Sequence, residues 1–153
     1  MAKTLKVATL VLTLVATTTL ISAPAQSAER PTSVPGCAKS KAQGHTPAKV
    51  KQPTVAAKKL AKKLTLTTNC GSIVISMYGT KAPITVTSIA ALANAGYYNK
   101  SLCHRLTTEG IFVLQCGDPT ASGGGSPTGW SGYIDENLPK VGAKNYPAGT
   151  VAM

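Results

Sequence analysis

The residues that could do chemistry crowd into one short stretch, SLCHRLTTEGIFVLQCGDPT, at positions 101–120. It carries Cys103, His104, Arg105, Gln115, Cys116 and Asp118. Such a set could be a catalytic centre, a disulfide staple or a hairpin with clustered polar residues. SLCHRL and IFVLQC are strand-like runs, and the TTEG between them supplies a glycine-containing turn, so a hairpin is expected. Side chains alternate across a strand, which puts Cys103 and Arg105 on one face and His104 on the other. A nucleophilic dyad of Cys103 with His104 is thereby excluded, because the two side chains diverge. Phe112 and Gln115 cannot both be placed by simple alternation. Asp118 precedes Pro119 in a turn, where an aspartate anchors the loop through its own backbone more often than it serves as an acid. The following GDPTASGGGSPTGW is dense in glycine but lacks the Gly-Lys-Ser/Thr ending and the helix of a phosphate cradle. No metal or cofactor motif is visible.

Other elements must position this stretch. LTLTT alternates apolar and polar residues, Asn69, Cys70 and Gly71 interrupt it, and SIVISMYG resumes with Ile73, Ile75 and Met77 on one face. That pattern predicts two antiparallel strands joined by a tight turn. In APITVTSIAALANAGYYN, Pro83 suits a first helical turn, Val86, Ile89, Ala90 and Ala93 recur at helical spacing, and Gly96 closes the run. An amphipathic helix with one apolar face against a sheet is expected. AGTVAM, at the end, looks like the start of a further strand.

The formal charge of +11 is unevenly placed. Residues 38–63 hold eight lysines (39, 41, 49, 51, 58, 59, 62 and 63) and no acid, whereas from Leu64 onward five basic residues face four acidic ones. Residues 29–63 also carry prolines and no aromatic residue, a composition too poor in large apolar groups to offset its ordering entropy, and they are read as a disordered Lys/Pro-rich linker. Such a tether would approach anionic envelope surfaces. Residues 1–28 begin with Lys3 and Lys6, continue with an apolar run from Val7 to Ala23 and end in small residues, the pattern of a secretory signal peptide. An uncleaved membrane anchor is the alternative, although about 20 apolar residues are usual for a span. An exported protein, secreted or associated with the envelope, is expected, which argues against a nucleic-acid partner. Export also permits oxidation of the four cysteines, 37, 70, 103 and 116, none of which has C-x-x-C spacing.

Four separated blocks resemble one family, the cyclophilin-type peptidyl-prolyl isomerases. GSIVISMYGTKAPITVTSIAALANAGYYN is similar to the family's opening strand and A-P-x-T-V helix, HRL to its H-R-[VI], IFVLQCGDPT to its G-F-[MV]-[IL]-Q-G-G-D-P-T, and GTVAM to a strand beginning G-x-[VL]-[SA]-M-A-N. The resemblance covers residues 64–153. It implies a mainly β fold with flanking helices, an antiparallel eight-stranded barrel of which about five strands and one helix are expected in this sequence. The family's M-A-N, its later Gln-Phe-Phe strand and its second helix would follow Met153, so the chain is expected to be part of a longer one.

The resemblance also implies a reaction, rotation of an X-Pro amide whose barrier is about 18–20 kcal/mol. It needs no cofactor or metal, takes proline-containing polypeptides as substrates, and is expected of a monomer. By the same resemblance Arg105 would donate to the nitrogen lone pair of the twisted amide, with Gln115 binding the substrate backbone and orienting the arginine. Phe112 and Val113 would floor the proline pocket. A module that binds proline-containing segments without turnover is the alternative. The departure from the family is cysteine: Cys103 stands where phenylalanine is usual and Cys116 where the first of two glycines is usual. These two could bridge the hairpin, Cys70 could join one of them, or small buried thiols could merely fill space.

Overall fold

A computed structural model describes residues 34–142 and 145–153. The expected signal peptide, residues 1–28, lies outside the described residues. Among those described, no helix is long and apolar enough to cross a membrane.

The first hairpin forms as its alternation predicts. β1 (Lys63–Thr68) pairs antiparallel with β2 (Gly71–Ser76) in a register running from Lys63 opposite Ser76 to Thr68 opposite Gly71. Leu64, Leu66 and Thr68 are half-buried while the residues between them are exposed. On β2 only Ile75 is half-buried, and Ile73, expected beside it, is exposed.

α1 (Pro83–Asn94) begins at a proline, whose missing N–H is one that no helix could satisfy internally. Its end is a complete Schellman motif: the Gly96 N–H bonds the Ala93 carbonyl and the Tyr97 N–H bonds the Leu92 carbonyl, both at 3.0 Å. Gly96 at φ +71° takes the left-handed position that the motif needs. Leu92 and Tyr97 are both buried and, with Val86 and Ile89, form the apolar core. Ala90 and Ala93, expected in that core, are only half-buried, and Ser88 is buried instead.

A sheet was expected against this helix, yet its hydrogen bonds to other elements go to irregular chain on either side. The Ala57 N–H donates to Thr87 Oγ1 at 2.9 Å from one flank, and Glu136 receives three bonds from the first turn on the other.

The lysine-rich segment is the one expected to be a disordered linker. Residues 34–62 contain no helix or strand, but they run along the domain as a strap with fixed attachments. Cys37 is disulfide-bonded to Cys70 in the β1–β2 turn, and the Ala38 N–H bonds the Asn69 carbonyl. The His45 N–H bonds the Pro119 carbonyl at 2.8 Å, Trp130 Nε1 donates to the Val50 carbonyl at 2.7 Å, and Gln52 exchanges bonds with Ser131 and Gly132. Composition argued that the segment could not bury enough apolar surface of its own. A covalent tie and hydrogen bonds supplied by distant residues order it without that burial. All seven of its lysines, from Lys39 to Lys62, are exposed, as is Lys63 at the start of β1.

The second hairpin is short. β3 (Arg105–Thr107) pairs antiparallel with β4 (Val113–Gln115) over three rungs, and the two hairpins are separate two-stranded sheets. Among the described residues the strands do not close a barrel, and four strands and one helix stand where about five and one were expected. The fifth, at AGTVAM, is absent among the described residues. That run holds a turn in which the Thr150 N–H bonds the Pro147 carbonyl, and no neighbouring strand pairs with it.

Candidate functional site

The β3–β4 ladder decides which of the candidate residues meet. Arg105 is directly opposite Gln115, Leu106 opposite Leu114, and Thr107 opposite Val113. Strand alternation then places Arg105, Thr107, Val113 and Gln115 on one face. Arg105 Nη1 donates to Gln115 Oε1 at 3.4 Å, a long bond that leaves most of the guanidinium's donors free toward solvent.

Each end of the ladder is secured differently. Near the turn, Thr107 Oγ1 donates to the Ile111 carbonyl at 2.5 Å and accepts the Val113 N–H at 2.9 Å, which fixes the strand entering Val113. At the open end, the His104 N–H bonds the Gln115 carbonyl at 3.0 Å, and Cys103 is disulfide-bonded to Cys116 with their Cα atoms 4.0 Å apart. Cys70 joins neither of these two cysteines, because it is taken by Cys37.

His104 lies on the face away from Arg105. Both its ring nitrogens are buried without a hydrogen-bond partner among the described residues, and a Cβ on Gly123 would lie 3.6 Å from its Cδ2. It therefore sits under the glycine loop rather than beside the guanidinium. Phe112 precedes β4, outside the ladder, and is 80 % exposed. The apolar floor expected of Phe112 and Val113 is thus not assembled among the described residues. Two clefts occur elsewhere: one of about 410 Å³ between the strap and α1, lined by Lys59, Leu60, Thr87 and Ala91, and one of about 230 Å³ beside Gln52, Ser88 and Tyr133. Neither reaches Arg105.

Asp118 is buried, and both its carboxylate oxygens are committed. Oδ1 accepts from the Thr120 N–H and Oγ1; Oδ2 accepts from Ser122 Oγ and the N–H groups of Gly123 and Gly125. Burial alone would raise its pKa, but the bonds from Thr120, Gly123 and Gly125 outweigh it and hold the carboxyl well below the usual range. A carboxylate so held is no general acid near neutral pH. Its work is to organise the glycine loop, and a Cβ at Gly125 would collide with it.

Three supports escaped the sequence reading. The Cys37–Cys70 tie carried a faint signal, since an even number of cysteines leaves this pair once Cys103 and Cys116 combine. Thr107 carried the weak signal of a hydroxyl at a turn. Glu136, 51 positions from the helix turn it caps, carried none. Among the described residues, no cluster of His, Cys, Asp and Glu could hold a metal ion.

The chain, mainly β with one helix among its described residues and carrying an arginine–glutamine pair across a short ladder next to Gly-Asp-Pro-Thr, matches the cyclophilin type peptidyl-prolyl cis-trans isomerase/CLD family over residues 63–153. The chain belongs to that family. It is 39 % identical over 97 residues to a probable peptidyl-prolyl cis-trans isomerase B of Mycobacterium leprae, and 37 % identical over 102 residues to the protein of the same description from Mycobacterium tuberculosis. These matches cover 58 % and 59 % of this chain and 32 % of each relative. A peptidyl-prolyl cis-trans isomerase-like 1 of Aspergillus fumigatus is 37 % identical over 95 residues, 61 % of this chain and 56 % of that protein. The chain thus spans from about a third to somewhat over half of these relatives' length. No solved structure matches it.

Proposed function

We propose that this chain catalyses, or supplies the arginine-bearing part of a domain that catalyses, cis–trans isomerisation of X-Pro bonds. One observation carries this reading: a guanidinium and a carboxamide are set side by side on an exposed face by strand register. Rotating the amide breaks its resonance and localises a lone pair on nitrogen. A fixed cationic donor stabilises that twisted state more than the planar one, which lowers the barrier without proton abstraction or a covalent intermediate. Arginine suits the task because it stays charged and presents donors in a rigid fork. Gln115 keeps donor and acceptor capacity for the substrate's backbone while its Oε1 orients Arg105.

Isomerisation of a proline-containing peptide by the wild type and by Arg105→Ala tests this. Loss of one preorganised donor lowers kcat about 10²-fold. Equal rates would refute the assigned role. The exposure of Phe112 favours a second reading, in which this face binds proline-containing segments with little turnover. Peptide binding without rate enhancement would identify it.

The apolar N-terminal run and the two disulfides support export, with clients among proteins that fold outside the cytoplasm. The seven exposed lysines of the strap, with Lys63 next to them, support weak contact with anionic envelope surfaces.

A further inference from the structure

We propose that the Cys103–Cys116 disulfide is a positioning element for the Arg105–Gln115 pair, and that its reduction releases the guanidinium from the carboxamide. The inference rests on the isomerase reading for its consequence, but its geometry stands alone. Arg105 and Gln115 form the last rung at the open end of a three-rung ladder. An isolated two-stranded hairpin is marginal in water, and this one gains little from packing, since Leu106 is 69 % and Leu114 53 % exposed. Fraying starts at the open end. Among the described residues, the hairpin's ties beyond the terminal rung are the His104 N–H bond to Gln115 and the disulfide.

The consequence of losing that closure is specific. The Thr107 bonds hold the turn end, so opening removes Arg105 and Gln115 from register first while leaving Thr107 opposite Val113. A slip of one residue would send Arg105 to the opposite face, where His104 now points. Cys103 is exposed and Cys116 half-buried, so a small thiol can reach the bond. A dithiol reductant attacks one sulfur as thiolate and forms a mixed disulfide. Its second thiol then attacks the reductant's own sulfur in that mixed disulfide and expels the protein cysteine, so that two electrons and two protons pass to Cys103 and Cys116 and the reductant closes to its own disulfide.

The other disulfide provides the control. Cys37–Cys70 ties the strap to the β1–β2 turn, in the other sheet.

The test uses the full chain in four forms: oxidised, reduced with dithiothreitol, Cys103→Ser/Cys116→Ser, and Cys37→Ser/Cys70→Ser. Hydrogen exchange at the His104 amide is read alongside kcat and KM for a proline peptide. Reduction or loss of the Cys103–Cys116 pair is expected to speed His104 exchange roughly 10²-fold, the factor expected of a bridge closing a loop of this size, and to lower kcat more than KM changes. Reoxidation restores both. The Cys37–Cys70 variant keeps the oxidised protein's His104 protection and kcat. Equal His104 protection with and without the bridge overturns the inference, as does an equal loss in the Cys37–Cys70 variant. If the oxidised protein does not isomerise the peptide, the functional reading fails and His104 exchange alone decides the positioning role.

Discussion

Replacing Asp118 with asparagine keeps the size and shape of the side chain and changes only what its outer atoms can accept. In the native loop every polar partner is a donor: two from Thr120 on Oδ1, and Ser122, Gly123 and Gly125 on Oδ2. The asparagine NH₂ must face one of these sets. If it takes the Oδ2 position, the Gly123 and Gly125 N–H groups lose their acceptor; the Ser122 hydroxyl can turn and accept. If the amide flips, only the Thr120 N–H is stranded, because the Thr120 hydroxyl can likewise turn. The flipped form costs less. One buried donor left without a partner costs about 1–3 kcal/mol, and replacing charge-assisted bonds by neutral ones adds to this. The expected destabilisation is about 2–3 kcal/mol, or roughly a 30- to 150-fold rise in the unfolding constant.

Urea unfolding of both proteins at neutral pH measures it. The pH dependence supplies an independent check. The folded-state pKa of Asp118 lies below its unfolded value, so its contribution is fully present above the unfolded pKa, near 3.8, and is lost as pH falls through the depressed folded value. Wild-type stability should therefore drop below about pH 4, and the variant, lacking this titration, should show a shallower slope. A difference under about 0.5 kcal/mol at neutral pH, with parallel acid curves, would show that the five bonds do not hold the loop.

Glu136→Gln should lower stability by about 1 kcal/mol, read as a fall of several degrees in Tm, because a charge at the helix N-terminus is lost and one of its acceptor oxygens becomes a donor. Burial alone would raise the Glu136 pKa, but its bonds to Thr85 and Ile84 depress it, so this contribution too fades in acid. Cys37→Ser/Cys70→Ser removes a tie across 33 positions and should cost about 3–4 kcal/mol, with faster tryptic cleavage at Lys39, Lys41 and Lys49; unchanged cleavage would mean that the strap is held without it. Binding of the protein to anionic vesicles should be measurable at low ionic strength and lost near 0.5 M salt, where the screening length falls to about 4 Å, and should be missing on neutral vesicles; salt-insensitive binding would point to apolar contact.

What the sequence disclosed follows the distance over which each feature is determined. The start of α1 is visible because Pro83 acts on its own turn, and the end because Gly96 does. The complete satisfaction of the first turn is not visible, since it needs Glu136 to bond the Ile84 and Thr85 N–H groups from another loop, while Ala82 bonds Tyr78. No local pattern encodes a partner at that separation. The same contrast divides the cysteines. Cys103 and Cys116 are brought together by the hairpin that contains them, so strand pairing alone makes their bridge a natural candidate. Cys37 lies in a segment whose composition argued for disorder, and four cysteines admit three connectivities. The composition argument weighed only what the strap itself could bury, whereas Trp130, Ser131, Pro119 and Thr87 bond it from distant positions. Arg105, Val113 and Gln115 were grouped only by the family resemblance, because simple alternation could not place both Phe112 and Gln115. Their relative placement depends on one hairpin's register, and only the supports that keep that hairpin in register come from elsewhere in the chain.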